Sequence, residues 1–580
     1  MLTEKDRKRI EKAKKEWEEG PLKSSLEKFG LRQNPERHFT PLDIPNHDFV
    51  RDVGFPGQSP FTGGEFPILP PSEDPNRGDY KGGVVRSSWY SGYGTAEDTR
   101  DFYRNIMARG WQGGPNIAFS LSTQCGYDSD HPMARGEVGR AGVVIDTLRD
   151  VEVLYEAFTG SNELDKIVSN WTINPLAFFM TAMYVALAKK RSIPLNKLRG
   201  TPQNDNLKEI LGRGTCIWPV RPQMRITRDM ITYCHENMPR FNVISIIGYH
   251  IREAGASGVQ TVAYTLTNAM DYVRLGINAG LNVDEFIPRF SFGGFGGSME
   301  FFNEIALHRA ARRMWAKIMK DTFHAKEPRS WILRGDRGAT MTPWVSTKQR
   351  PLNNLTRQVI MSCVARCLSG GEARYTPAYD EPLGLGHSLE AMQLAIDATR
   401  IAKYECHLEE TSDPLAGSYY IEWLTDKLEA EILEIMNKIE GMGGAVAAIE
   451  KGYQQREVAR NAYKIQREIE TGERTVIGVN KFVGESELEV LTSRVVPHPY
   501  DPVKREEAEK RALANLAKVK KERDNEKVGA ALKQLYDAAR NENANIMPAL
   551  VTCCEVYCTV GEISDTLRTV FGEYKEYTTI

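Results

Sequence analysis

Asn242-Val243-Ile244-Ser245-Ile246-Ile247-Gly248-Tyr249-His250-Ile251-Arg252-Glu253-Ala254-Gly255 reads as a buried strand that ends in a glycine turn and passes straight into a helix. Similar short apolar runs, Gly142-Val143-Val144-Ile145 and Trp331-Ile332-Leu333, recur between about Arg86 and Tyr420, each followed by a longer amphipathic stretch. In one of these, Ser298 to Ile318, the residues Phe302, Ile305, Ala306, Ala310 and Met314 share a face. Strand and helix alternation sustained over this length predicts a parallel α/β architecture, and a single unit of this size favours an eight-stranded β/α (TIM) barrel over a doubly wound sheet. The glycines Gly293, Gly294, Gly296 and Gly297 lack the spacing of a dinucleotide fingerprint, so a close-packed loop is the better reading.

Outward from the barrel, residues 3 to 29 are dense in Lys and Glu and read as a solvated helical arm. Residues 1–49 form this arm, 50–84 an extended segment rich in Pro and Gly, 85–425 the barrel, 426–496 a helical return and 497–580 a helical tail. Lys plus Arg total 75 against 77 for Asp plus Glu, a net charge of −2, which excludes the basic balance of a dedicated nucleic-acid binder. The longest apolar stretch, Leu176 to Ala188, stops at Lys189-Lys190-Arg191 and falls short of the ~20 residues a membrane span needs, so a buried helix is expected. The N-terminus has no signal-peptide core, and nine cysteines in 580 residues suit free thiols in a reducing, cytoplasmic setting.

Three residues invite a chemical reading. His250 follows a strand and precedes a helix, which in a barrel is the catalytic rim, although a lone histidine is more often structural. Arg213, between Gly212 and Gly214, suits carboxylate capture, yet a surface salt bridge is the commoner outcome. Tyr90 could be core. Taken singly, these positions leave both readings open.

Taken together and in order, the motifs narrow the choice. Tyr90-Ser91-Gly92-Tyr93-Gly94-Thr95-Ala96-Glu97, Gly126-Tyr127-Asp128-Ser129-Asp130, Gly139-Arg140-Ala141-Gly142-Val143, Gly200-Thr201-Pro202-Gln203-Asn204-Asp205 and Gly248 to Gly255 occur in sequence. Pro288-Arg289-Phe290-Ser291, Asp380-Glu381, Asp413-Pro414 and Thr559-Val560-Gly561-Glu562-Ile563-Ser564-Asp565 follow. The series resembles the catalytic large subunit of the methylmalonyl-CoA mutase family, the adenosylcobalamin-dependent acyl-CoA mutases, over about residues 50–575.

The resemblance implies a radical rearrangement of an acyl-CoA in a closed barrel. His250 matches the histidine that hydrogen-bonds the migrating thioester carbonyl, and Tyr90 the tyrosine that wedges against the cofactor. Gln203 matches a glutamine beside the acyl group, Tyr249 a neighbouring active-site tyrosine, and Arg213 the arginine that pairs with the substrate's free carboxylate. Glu253 and Glu381 match cofactor contacts, Leu121 and Ala141 line the corrin face, and Thr172, Arg289 and Ser291 match coenzyme A contacts.

Departures from the family pattern sharpen the expectation. Gly83-Val84-Val85-Arg86-Ser87-Ser88-Trp89 lacks two arginines of the coenzyme A grip, and Gly335-Asp336-Arg337-Gly338-Ala339-Thr340 replaces a serine-rich loop. Glycines at Gly293 and Gly294 stand where bulky aromatics are usual, which predicts room for a bulky substituent on a malonyl- or succinyl-CoA. No Asp-x-His-x-x-Gly occurs, so the cobalt ligand is expected on a small cobalamin-binding subunit, in a heterotetramer, with the charged helix over 503–542 as its docking element. No metal site is expected on this chain itself. The alternatives are an ordinary methylmalonyl-CoA or ethylmalonyl-CoA mutase large subunit, or a non-catalytic barrel that scaffolds the cobalamin subunit. A metal-dependent hydrolase would need an HxH or HExxH motif, and neither occurs.

Overall fold

A computed structural model describes residues 3–30, 32, 39–55, 62, 90–108, 113–295, 297–335, 345–371, 373, 378–383, 389–411, 413–484 and 502–576. Among the described residues six short parallel strands, β1 (Tyr90–Ser91), β2 (Asn116–Ala118), β3 (Ser169–Thr172), β4 (Gly200–Pro202), β5 (Ile244–Ile247) and β6 (Phe290–Gly293), pair in chain order as a four-stranded and a two-stranded sheet. Hydrogen bonds from Asn242 N to Gly200 O and from Ser245 N to Gln203 O, each 2.9 Å, carry the run across from β4 to β5. Beyond β6, Phe292 N donates to Arg334 O at 2.8 Å, which lays the Ile332-Leu333-Arg334 segment alongside.

The parallel α/β architecture is therefore present, but the run stays open, and no closed barrel exists among the described residues. The segments 336–344 and 374–377, which follow the last of these strands, lie outside them.

The strands β2 to β6 divide their side chains between two unlike faces. One face is buried against helices: Trp171 meets Tyr184 of the helix Ala177–Lys190 with ring centroids 5.0 Å apart, and Phe292 meets Trp315 of the helix Phe301–Lys317 at 4.9 Å. The other carries Asn116, Asn170, Thr201, Ser245 and Ser291, which are small, polar and half-buried. Barrel interiors are ordinarily filled by bulky branched side chains. Here that face stays partly open.

The helix Ala177–Lys190 is buried all round from Ala177 to Ala188, as a core helix with no polar face must be. The amphipathic reading of 298–318 needs correction. From Glu304 to Ala316 every side chain of the helix Phe301–Lys317 is buried, while Phe302 is 47% exposed. The helix is sandwiched, and its buried arginines find partners instead of solvent: Arg309 pairs with Asp413 and Glu422, and Arg313 with Asp426 and Glu429. Asp426 lies within the helix Tyr419–Gly441, which runs through the expected boundary at 425/426.

At the N-terminus the helix Glu4–Trp17, a π-turn over Glu18–Leu22 and the helix Lys23–Phe29 bury no residue. Among its described residues the tail forms the helices Pro502–Glu522, Asn525–Arg540, Met547–Glu555 and Val560–Phe571. Its first helix does not stand free for a partner on every side. Arg511 pairs with Asp98 at 2.7 Å, Lys520 with Asp130 at 2.8 Å, and Ala512 is buried against Ala134, Val138 and Val144.

Candidate active site at the C-terminal ends of the strands

The site is built where β4 and β5 end. After β4, Asp205 is fully buried and accepts hydrogen bonds from Ile247 N at the end of β5 (2.7 Å) and from the Tyr272 hydroxyl (2.8 Å), tying the two strand ends together. A glycine is required at 212, because a Cβ there would stand 2.5 Å from His250 O. This close approach sets the turn Glu209–Arg213 directly on the helix Tyr249–Glu253, so Arg213 and His250 come from segments in backbone contact.

Beneath them lies a buried polar cluster. Gln203 Oε1 accepts from Asn174 Nδ2 at 2.9 Å and from Lys208 Nζ at 3.3 Å. Lys208 is fully buried and pairs with Glu209 at 2.7 Å. Glu209 also accepts from Asn174 Nδ2 and from the Thr215 hydroxyl, and Arg213 Nη1 stands 3.7 Å from it. Burial would raise the Glu209 carboxyl, but Lys208 and Arg213 outweigh it and leave the group below its ordinary range.

Above this cluster, the buried nitrogens Arg213 Nη1 and His250 Nδ1 are without hydrogen-bond partners among the described residues. Burial, with Lys208 and Arg213 adding, holds the imidazole well below its usual pKa, so His250 is neutral at physiological pH and keeps one N–H to donate. Glu253 behaves oppositely. Burial pushes its carboxyl up to about 7, Arg213 and Lys208 oppose this, and Glu381 reinforces it. Gln203, Arg213, His250, Glu253 and Glu381 thus converge, and Tyr249 lies with its ring 4.1 Å from that of His250.

The remaining expected residues spread from this centre. Thr172 closes β3 and is buried. Ser291 lies within β6 and donates to Ile244 O at 3.1 Å, while Arg289 stands at the opposite, N-terminal end of that strand. Gly248 N donates to the carbonyls of both Gly293 (3.2 Å) and Gly294 (3.1 Å), so this glycine pair also serves close backbone packing between strand ends. A Cβ at Gly293 would meet Ile247 Cγ1 at 3.0 Å and Ser245 Oγ at 3.7 Å, and the position is half-buried on the polar face. Tyr90 opens β1 opposite Asn116.

A flat surface borders the site. Gly94 N donates to Gly139 O at 3.0 Å and Val144 N to Gly94 O at 3.1 Å, and a Cβ at Gly139 would stand 3.0 Å from Gly94 Cα. With no side chain between these segments, the relief is low, and Leu121, 44% exposed, and the exposed Ala141 lie beside it. A planar macrocycle such as a corrin fits such a surface. Among the described residues no group of three or more His, Cys, Asp or Glu could hold a metal ion.

A sequence model of the methylmalonyl-CoA mutase family matches residues 32–573. The chain belongs to the methylmalonyl-CoA mutase family. It is 38% identical over 579 residues to the 2-hydroxyisobutanoyl-CoA mutase large subunit of Aquincola tertiaricarbonis, covering 98% of this chain and 97% of that one. It is 40% identical to the methylmalonyl-CoA mutase of Escherichia coli and 36% identical to the human mitochondrial enzyme, matching 88% and 92% of this chain but 69% and 66% of those relatives. Members of the methylmalonyl-CoA mutase family are cobalamin-dependent acyl-CoA mutases, hence isomerases.

Sequence reasoning missed Asn174, Lys208, Glu209 and Thr215. The signal was present as the adjacent charges Lys208-Glu209 five residues beyond Gln203, set between Leu207 and Ile210-Leu211, but nothing in the pattern says that both are buried.

Proposed function

We propose that the chain is the large subunit of a coenzyme B12-dependent acyl-CoA mutase that interconverts a 2-substituted malonyl-CoA with the corresponding succinyl-CoA. The observation that carries this reading is Arg213 Nη1, a buried donor with no hydrogen-bond partner. Of the carboxylates near it, Glu209 is already engaged by Lys208, Asn174 and Thr215, and Glu253 is pushed toward its protonated form by burial. A guanidinium left so placed favours a substrate that brings its own carboxylate and disfavours one that does not.

Leu121, Ala141, Glu253 and Glu381 would hold adenosylcobalamin, which when bound supplies the homolytic chemistry that starts the rearrangement. The chain itself orients and encloses. Neutral His250 donates to the thioester carbonyl, the Gln203 amide meets the acyl group, and Arg213 pairs with the free carboxylate. Coenzyme A then extends along the half-buried polar face past Ser291. At its far end burial, together with Arg329, Arg240 and Arg199, lowers the Arg289 pKa. None of these four arginines has a carboxylate partner among the described residues, and we read them as the phosphate grip that Gly83 to Trp89 no longer supplies.

The open run of strands we read as the described part of an eight-stranded barrel. The glycines Gly293 and Gly294, where the family pattern has bulky aromatics, are the sequence feature behind the bulky aryl-methyl or alkyl substituent that we infer, while in the structure a Cβ at Gly293 would already stand 3.0 Å from Ile247 Cγ1. The name "large subunit" of the Aquincola relative supports a small cobalamin-binding partner, for which we infer a DxHxxG motif and a heterotetrameric assembly, and nine free cysteines suit the cytoplasm. Turnover of methylmalonyl-CoA against an aryl-methyl or long-alkyl analogue, in the reconstituted complex, tests the substituent. Efficient use of the small substrate alone would exclude it.

A further inference from the structure

Resting on the acyl-CoA reading above, we propose that Lys208 is a positioning residue that locks the Gln203 amide with its NH2 group toward the substrate.

An amide side chain can present either its oxygen or its nitrogen, and the choice is settled by its partners. Gln203 has two, Asn174 Nδ2 at 2.9 Å and Lys208 Nζ at 3.3 Å. An ammonium group has only donors, so the atom facing Lys208 is the carbonyl oxygen and Nε2 points away from it. The lysine is itself fixed. It is completely buried, paired with Glu209 at 2.7 Å, and has no water-exposed alternative. Glu209 in turn faces Arg213 Nη1 at 3.7 Å and accepts from Thr215. Removing the lysine frees the amide to rotate and leaves the Gln203 oxygen with one donor instead of two. The consequence is a loss of orientation at the acyl group while the carboxylate contact of Arg213 persists, so kcat falls more than KM rises.

The test is a double-mutant cycle on the full chain reconstituted with its cobalamin subunit, together with crystal structures of the parent and the Lys208→Met chain. Lys208→Met is expected to lower kcat about ten-fold with KM changed less than three-fold, and to change kcat less than two-fold in a Gln203→Ala background. In the crystal the Gln203 side chain is expected to leave its parent orientation. Multiplicative losses in the cycle, or a Lys208→Met structure with Gln203 unmoved, would overturn the proposal. Should the methionine chain fail to fold, Lys208→Gln keeps a donor toward Gln203 and is expected to stay within three-fold of the parent kcat. A ten-fold loss in that variant at unchanged Tm would count against the proposal. The crystallographic arm needs no turnover, so a chain that isomerises no acyl-CoA defeats the substrate reading and still leaves Lys208 judged on where Gln203 lies.

Discussion

At His250 the protein holds a buried imidazole between two positive charges, Lys208 and Arg213, so its folded pKa lies well below that of the unfolded chain. The unfolded state then binds the extra proton, and stability is lost as pH falls below about 6.5. Glu253 carries the opposite sign. Burial raises its carboxyl from the ordinary 4.5 to about 7, so the folded state binds more protons and the contribution is lost as pH rises from 4.5 through 7. Glu253→Gln is expected to leave Tm unchanged at pH 5 and to raise it at pH 8, by an amount equivalent to about 1–3 kcal/mol. A thermal melt at the two values checks it. His250→Ala should cost roughly 100- to 1,000-fold in kcat while the chain still folds, as expected when a donor to a developing charge is removed. The same variant with unchanged activity would restore the scaffold alternative.

At the scale of elements, short contacts between backbones place the groups that act. Gly212 brings the turn Glu209–Arg213 against His250 O, and Gly212→Ala is expected to lower kcat/KM about ten-fold or more by separating Arg213 from the histidine. Steady-state kinetics with a dicarboxylic thioester reads this directly. Gly255 has φ +114, and a Cβ there would lie 2.7 Å from Ala462 Cα in the helix Tyr453–Glu470. Gly255→Ala should therefore cost about 2 kcal/mol or more in denaturant unfolding. The tail is held by the same kind of contact. Asp128 accepts from Gly561 N at 2.6 Å and from the Thr559 hydroxyl at 2.8 Å, capping the helix Val560–Phe571 and fixing the loop that follows Leu121. Strand and helix order were legible in the sequence because period and turn residues are local. The sandwiching of the helix Phe301–Lys317 was not, since its buried arginines are neutralised by Asp413, Glu422 and Asp426 from over 100 residues away.

For the molecule as a whole, motif order announced Arg213, Gln203 and His250, and the fold brings all three to one end of the β4–β5 junction. The buried Lys208-Glu209 pair beneath them was not announced, because burial of a charge is a property of the packed fold. The open polar face of the strands and the four arginines at its far end likewise emerge only when separate segments are set side by side. These are the features from which we propose a thioester substrate with a long phosphorylated tail and a free carboxylate at its reacting end. The most direct measurement is reconstitution with a cobalamin subunit and adenosylcobalamin, followed by mass-resolved chromatography of matched CoA thioesters with and without the second carboxylate. Isomerisation of a 2-substituted malonyl- or succinyl-CoA, with an Arg213→Met variant at least about 100-fold weaker on it, is expected. Turnover of 2-hydroxyisobutanoyl-CoA or another monocarboxylic thioester, with none of the dicarboxylic substrates, would contradict it.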